Sequence, residues 1–355
     1  IESLQAYAER FRKDPATGRS TVAILQMEDE IASAGVVVGA GWAGARSMTA
    51  TSGPGISLMS EFIGLGYWTE NPGVFINVQR TGPSTGLPTH TMQGDIEYCA
   101  KASHGDTQHP CLYPATMEEC FRFTYDAFDL AERLQTPVFV VTDLDLGMQN
   151  WASQPFAYPD QPLDRGKVLS QEQLAALQDW GRYKDVDGDG IGYRTLPGTP
   201  GGKGAFFTRG TGHTTSALYS EKPEDYQAKV DRLKRKLETA KTLVPAPVAD
   251  LRGARVGIVA YGSSHPAVEE ARDLLREQHG LETDYLRIRA YPFPEDIRTF
   301  LEGHDLVHVV DQNRDGQMAS LLIDAFPECA TRISRLRHYD SSSLSAQNVL
   351  DQILG

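Results

Sequence analysis

Two places in this sequence set chemically capable residues beside backbone that can approach a ligand closely. The first is the acidic run Glu28-Asp29-Glu30, which leads directly into "IASAGVVVGAGWAGA". Acids at the start of a helix are favoured by the macrodipole whatever their function. The alternative is that one of them points inward, and Glu30 opens the apolar face of the run. The second place is Arg80, which ends "VFINVQR" and begins "RTGPSTGLPTH". An arginine at the carboxyl end of a buried strand stands where open α/β sheets bind ligands. Its guanidinium can grip a carboxylate with two parallel hydrogen bonds. The plainer alternative is a surface pair with Asp95 or Glu97.

The elements around Glu30 must be read with care, because Gly39-Ala40-Gly41-Trp42-Ala43-Gly44 spells G-x-G-x-x-G. A dinucleotide fingerprint needs a strand before it, a full helix after it, and an acid about 20 positions on at a second strand's end. Within eight positions of Gly44 the chain reaches Ser52-Gly53-Pro54-Gly55, too soon for a crossover helix. Glu61 lies in "SLMSEFIGLGYW", which has helical spacing. No turn residue precedes the valines, so the run reads as one helix with Ala34, Val37, Val38 and Gly41 on its buried face. Its small residues would let another backbone come close. A nicotinamide dehydrogenase is therefore rejected.

Farther along, "VFINVQ" (74–79) and "PVFVVTD" (137–143) read as buried strands flanking a helix over 116–135, with Thr116 and Glu119 as a capping box. Strand, helix, strand implies a parallel sheet with helices on its faces. Residues 150–222 break into Pro, Gly and Asp, a charged helix follows over 223–241, and a Pro-containing linker covers 243–253. A second α/β unit begins at "RVGIVAYGSS" with a helix and the strands "TDYLRIR" and "DLVHVVDQN". The expected division is 1–245, with an irregular extension over about 150–245, and 253–355. The chain opens on Ile1, already helix-like, so a preceding segment is expected.

The formal charge of −13, from 34 basic and 47 acidic residues, argues against nucleic acid or anionic membrane as a partner. No apolar run approaches the ~20 residues of a membrane span, and no signal peptide is evident, so a cytoplasmic location is expected. Cys99, Cys111, Cys120 and Cys329 form no C-x-x-C pair. They read as small buried hydrophobes in a reducing compartment rather than as cluster ligands.

The segments "QMEDEIASAGVVVGAGWAGARSMTATSGPGISLMSE" and "VQRTGPSTGLPTHTMQGD" resemble the α subunit of 2-oxoacid:ferredoxin oxidoreductases, above all the 2-oxoglutarate branch. The resemblance continues through "SHGDTQHPCLYPATMEECF", "LAERLQTPVFVVTD", "YRTLPGTPGG" and "VVDQNRDGQMASLL". It implies an α/β fold: a pyrimidine-type thiamine diphosphate-binding parallel-sheet domain, then a smaller domain like the C-terminal domain of transketolases. It places Glu30 at the cofactor's pyrimidine N1′, where a shared proton promotes loss of the thiazolium C2 proton. An apolar surround would favour that shared proton. Ser52 and Gly53 are assigned to the cofactor, and Arg80 to the C1 carboxylate of a 2-oxoacid. His90, Lys101, His104 or a partner lysine could take a second carboxylate.

The implied reaction is coenzyme A-dependent oxidative decarboxylation of 2-oxoglutarate to succinyl-CoA, or its reverse, with ferredoxin as electron acceptor, as in the tricarboxylic acid cycle. Pyruvate or a branched 2-oxoacid is the alternative substrate, and a non-catalytic scaffold subunit the alternative role. A Tyr-Pro-Ile-Thr-Pro motif of the family is absent from these residues. Gly188-Asp189-Gly190 resembles the start of a diphosphate–Mg²⁺ motif, but the required Asn does not follow. The same stretch resembles a calcium loop whose twelfth position is Leu196 rather than Glu, so a tight acidic turn is expected, with a weak cation site as the alternative. No metal site is assigned to this chain. Mg²⁺, the diphosphate site and a [4Fe-4S] cluster are expected from a β subunit, in a dimer of αβ units. "NRDGQ" (313–317) is either a loop facing the partner or coenzyme A, or an ordinary turn.

Overall fold

The computed structural model describes residues 2–355. Its strands in chain order are β1 (Met48–Thr51), β2 (Gly73–Gln79), β3 (Cys111–Leu112), β4 (Pro137–Asp143), β5 (Val248–Asp250), β6 (Val256–Tyr261), β7 (Asp284–Ile288), β8 (Ala290–Tyr291), β9 (Leu306–Asp311) and β10 (Ile333–Arg337). They form two five-stranded sheets, ordered β1-β2-β4-β3-β8 and β10-β9-β6-β7-β5. Within each sheet the pairings are parallel except at one edge, where β8 and β5 run antiparallel to their neighbours. β2 and β4 are buried over nearly their whole length, as expected of parallel strands covered on both faces.

The first helix, α1, covers Glu2–Phe11, and Ile1 lies outside the described residues. The G-x-G-x-x-G run belongs to no strand–turn–helix: α2 spans Glu30–Trp42 and buries Ala34, Val37, Val38 and Gly41. A second small-residue helix, α3 (Gly53–Thr69), packs beside it, with Gly35 facing the Phe62 ring. These two cover one face of the first sheet. The short α4 (Ile96–Ala100) follows β2, and α5 (Met117–Leu134) covers the opposite face through Phe123, Ala127, Leu130 and Leu134.

Thr116 caps α5 by accepting from the Glu119 N–H at 3.2 Å. The other half of the expected capping box differs, because Glu119 accepts from Ala115 N–H and pairs with Arg287 and Arg289. The irregular stretch after β4 is held by buried ion clusters rather than by a core of its own. Glu132 gathers Arg46, Arg165 and Arg194. Glu70 gathers Arg232 and Lys236 from the helix Pro223–Ala240.

The chain passes to the second sheet through 245–253, and that stretch itself contributes β5. β8, from the later half of the sequence, completes the edge of the first sheet on β3. One apolar cluster runs continuously from Val37, Ile56 and Phe139 to Val259, Leu286 and Val309.

Candidate active site

The carboxyl ends of β1, β2 and β4 lie side by side: Thr51 is in register with Asn77, and Gln79 with Asp143. Every sequence-predicted site residue except Glu30 and His90 follows directly from one of these ends. Ser52 and Gly53 leave β1 and start α3, while Arg80 leaves β2.

At the start of α2 the acidic run divides its roles. Asp29 has extended backbone and accepts from the Ala32 N–H at 2.8 Å, which makes it the cap. Glu30 is the first helical residue and is half-buried, so its carboxylate is not consumed by capping. Its stem lies across the first turn of α3. A Cβ on Gly55 would stand 2.8 Å from Glu30 Cγ and 1.9 Å from Thr51 Oγ1. Gly53 has the same kind of clearance, since its Cβ would stand 2.8 Å and 2.9 Å from the two carboxylate oxygens of Asp95.

Asp95 is a residue of this site that sequence reasoning did not assign, naming it only as an alternative partner for Arg80. It does not pair with Arg80: its Oδ2 accepts from Asn77 Nδ2 at 3.0 Å, and its N–H donates to Gln79 Oε1 at 2.9 Å. Burial pushes its carboxyl above the ordinary range, against the pull of the Asn77 hydrogen bond. The signal available beforehand was Asn77 itself, a polar side chain inside an otherwise apolar strand, which calls for a partner.

Arg80 is half-buried, its Nε is buried without a hydrogen-bond partner, and no carboxylate among the described residues lies within 4.0 Å. An unpartnered guanidinium edge is what a site for an incoming anion requires. The loop behind it is tightly closed. Thr81 N–H donates to the His90 carbonyl at 2.9 Å, and Leu87 N–H to the Thr81 carbonyl at 3.2 Å. Gly86 has φ +49°, and a Cβ there would come within 2.2 Å of the Thr81 carbonyl oxygen. His90 is exposed and its Nδ1 lies 3.1 Å from the Ser341 carbonyl, so its ring is turned to the second sheet's end of the molecule. Lys101 is committed to Asp324 at 2.7 Å.

The Asp185-Asp187-Asp189 turn lies elsewhere, against the helix Pro223–Ala240. Lys167 Nζ fills it, donating to both Asp187 oxygens at 2.7 and 2.8 Å, to Asp189 at 2.8 Å and to the Ile191 carbonyl at 3.0 Å. This is the tight acidic turn expected, with a lysine inside it.

Glu30 beside two glycine-cleared helix positions and an orphaned Arg80 form a donor set that fits the pyrimidine end of a thiamine cofactor and an anionic substrate. Comparisons with known proteins point the same way. Residues 2–167 match the family described as pyruvate flavodoxin/ferredoxin oxidoreductase, thiamine diphosphate-binding. The 2-oxoglutarate synthase subunit KorA of Methanocaldococcus jannaschii is 35% identical over 80% of this chain and 74% of its own length. Subunit alpha of 2-oxoacid:ferredoxin oxidoreductase 2 from Aeropyrum pernix is 36% identical over 85% of this chain, which spans about half (47%) of that longer protein.

Among solved structures, 2-oxoglutarate:ferredoxin oxidoreductase from Magnetococcus marinus, with 2-oxoglutarate, coenzyme A and succinyl-CoA bound, superposes with a TM-score of 0.83 at 29% identity, over 94% of this chain and 57% of that one. A split-gene transketolase, at 11% identity and a TM-score of 0.55 over 100% of this chain and 88% of that one, shares the fold. The chain belongs to the family of 2-oxoacid:ferredoxin oxidoreductase α subunits, thiamine diphosphate-binding oxidoreductases.

Proposed function

We propose that this chain is the α subunit of a 2-oxoglutarate:ferredoxin oxidoreductase. The reaction converts 2-oxoglutarate, coenzyme A and two oxidised ferredoxins to succinyl-CoA, CO₂, a proton and two reduced ferredoxins, or runs in reverse. The observation that carries the reading is Glu30 lying across the glycine-cleared first turn of α3, at the carboxyl end of the same sheet as the unpaired Arg80.

Bound thiamine diphosphate supplies the carbon nucleophile and electron sink that decarboxylation of a 2-oxoacid needs. Glu30 holds the proton at the pyrimidine N1′, and Ser52 and Gly53 line the cofactor. Arg80 binds and orients the C1 carboxylate of the substrate through its open guanidinium edge. His90 closes the loop behind Arg80 and stands as the candidate for the second carboxylate. This chain carries no diphosphate motif, so Mg²⁺, the diphosphate site and the [4Fe-4S] cluster are assigned to a β subunit. The assembly is a dimer of αβ units serving a tricarboxylic acid cycle in the cytoplasm, consistent with four free cysteines. Within the chain, residues 1–245 serve the pyrimidine and 253–355 form the transketolase C-terminal-like unit.

The test is anaerobic viologen reduction by the αβ complex with coenzyme A and either 2-oxoglutarate or pyruvate, run beside Glu30→Gln. Reduction driven by 2-oxoglutarate and lost in the variant is expected. Turnover surviving Glu30→Gln would make the chain a scaffold, and activity with pyruvate alone would replace the substrate.

A further inference from the structure

The segment Gln93–Glu97 delivers Asp95 to the site, yet it is held chiefly by side chains from the loop and helix that follow β9. Asn313 Nδ2 donates to the Gln93 carbonyl at 2.9 Å, and Gln93 N–H donates to the Gln312 carbonyl at 2.9 Å. Gln317 Nε2 donates to the Gly94 carbonyl at 2.7 Å. Its Oε1 accepts from the N–H groups of Ile96 and Glu97 at 2.9 and 3.2 Å. Those two are free donors at the start of α4, so Gln317 caps that helix from across the molecule. Asn313 is itself fixed, its Oδ1 accepting from Gly316 and Gln317 N–H at 2.8 and 3.1 Å.

The "NRDGQ" loop therefore has two faces. Arg314 and Asp315 are exposed and pair with each other at 2.7 Å, whereas Asn313 and Gln317 turn inward. An exposed turn has no need of two amides committed to another element's backbone. A carboxylate that must stand against Gly53 does need its backbone fixed from outside, because α4 is only 5 residues long.

We infer that Asn313 and Gln317 are positioning residues of this active site. Through the backbone of Gln93–Glu97 they set Asp95 against the first turn of α3, and thereby fix the Ser52–Gly53 turn and the Glu30 side chain resting on it. The second unit is thus part of the site's support. The inference rests on the reading that Glu30 serves the cofactor, and the experiment separates the two.

In the αβ complex, Gln317→Ala, Gln317→Glu, Asp95→Asn and Arg314→Ala are compared for kcat, KM and thermal midpoint. Thiamine diphosphate affinity is measured by calorimetry on the cofactor-stripped complex. Gln317→Ala is expected to lower kcat about 10- to 100-fold, the cost of a misplaced group, and to weaken the cofactor, with KM for the 2-oxoacid within about twofold of wild type. Gln317→Glu keeps the acceptor for Ile96 and Glu97 and is expected to recover part of the loss. Asp95→Asn should fall similarly, and adding Gln317→Ala to it should cost nothing more, since both act through one carboxylate.

Full kcat in Gln317→Ala overturns the inference, as do losses that add, losses that follow the thermal midpoint alone, or an equal loss in Arg314→Ala. If Gln317→Ala does not assemble, Gln317→Glu and Asp95→Asn carry the test. Glu30→Gln at full activity would instead remove the reading of the site itself.

Discussion

Glu30 and Gly55 occupy adjoining space so closely that a methyl group on residue 55 would stand 2.8 Å from Glu30 Cγ. The same methyl would meet Thr51 Oγ1 at 1.9 Å. Both obstacles are side-chain atoms, so the backbone can survive while Glu30 is displaced. Gly55→Ala is therefore expected to fold and assemble but to lose about 10- to 100-fold in kcat. Steady-state viologen reduction together with the thermal midpoint checks this, and wild-type kcat in a folded Gly55→Ala complex would show that Glu30 has freedom to move.

The apparent nucleotide fingerprint makes a second prediction, because two of its glycines have opposite surroundings. At Gly41 a Cβ would lie 1.9 Å from the Pro72 carbonyl oxygen, which is backbone and cannot swing aside. At Gly39 nothing lies within 4 Å. Gly41→Ala should destabilise by about 1–3 kcal/mol or more through overpacking, and Gly39→Ala should stabilise by up to about 1 kcal/mol through helix propensity. Denaturant titrations of the two variants measure the contrast. Equal effects would mean that α2 does not pack on Pro72.

The same pair shows what a sequence can and cannot disclose. α2 was legible because no turn residue interrupts its run and its four buried positions recur at helical spacing. β2 and β4 were legible because buried parallel strands are continuous apolar runs. β1 is 4 residues long and half-exposed, and β3 and β8 have 2 residues each, so none carries a periodic signal. They exist because distant segments pair. Glu30, Ser52, Gly53 and Arg80 could be named from motif resemblance. Asp95 entered the sequence reading only as one alternative partner for Arg80, beside Glu97. Its real partners, Asn77 and Gln79, stand on β2, and Gln317, which holds the backbone beside it, begins the helix Gln317–Ala325, so only the fold brings them together.

Glu70 stands at the left-handed cap of α3, fully buried, with Arg232 and Lys236 on its carboxylate and Arg182 on its carbonyl at 2.7 Å. The arginine and lysine hold it well below the ordinary carboxylate range despite the opposing cost of burial. Glu70→Gln would leave buried cations without their counter-charge, and a loss of about 3–5 kcal/mol is expected. Adding Lys236→Met should restore part of it. A loss under about 1 kcal/mol in chemical denaturation, the value of a surface pair, would contradict the burial of this cluster.

His109 gives a pH dependence with a defined sign. It is fully buried, with Nε2 3.0 Å from the Ala102 carbonyl and edge-to-face contacts with Tyr67 and Phe139. Burial lowers its pKa from 6.5 to about 4. Between those values the unfolded chain binds a proton that the folded chain refuses, so stability falls as pH drops through this window. The full contribution is roughly 3 kcal/mol at 1.36 kcal/mol per unit. Relative to wild type, His109→Gln should lose less stability between pH 7 and pH 4.5. Parallel denaturation curves for the two proteins over that range would assign acid sensitivity to other groups.

Arg80 is expected to act by geometry as much as by charge. Its guanidinium has no carboxylate within 4.0 Å among the described residues, so an incoming substrate displaces no internal ion pair. Arg80→Lys keeps the positive charge but replaces a planar fork by a point charge on a flexible four-carbon stem. Losing one charge-assisted hydrogen bond of about 1.5–3 kcal/mol corresponds to at least a tenfold loss in kcat/KM for the 2-oxoacid. Arg80→Ala, which removes the charge as well, should lose more. The loss should fall on the 2-oxoacid and spare coenzyme A, because only the former presents a carboxylate beside its reacting ketone. Steady-state kinetics with each substrate varied in turn decides the point. A rise in KM for coenzyme A with an unchanged value for the 2-oxoacid would move Arg80 to the acceptor's side of the site.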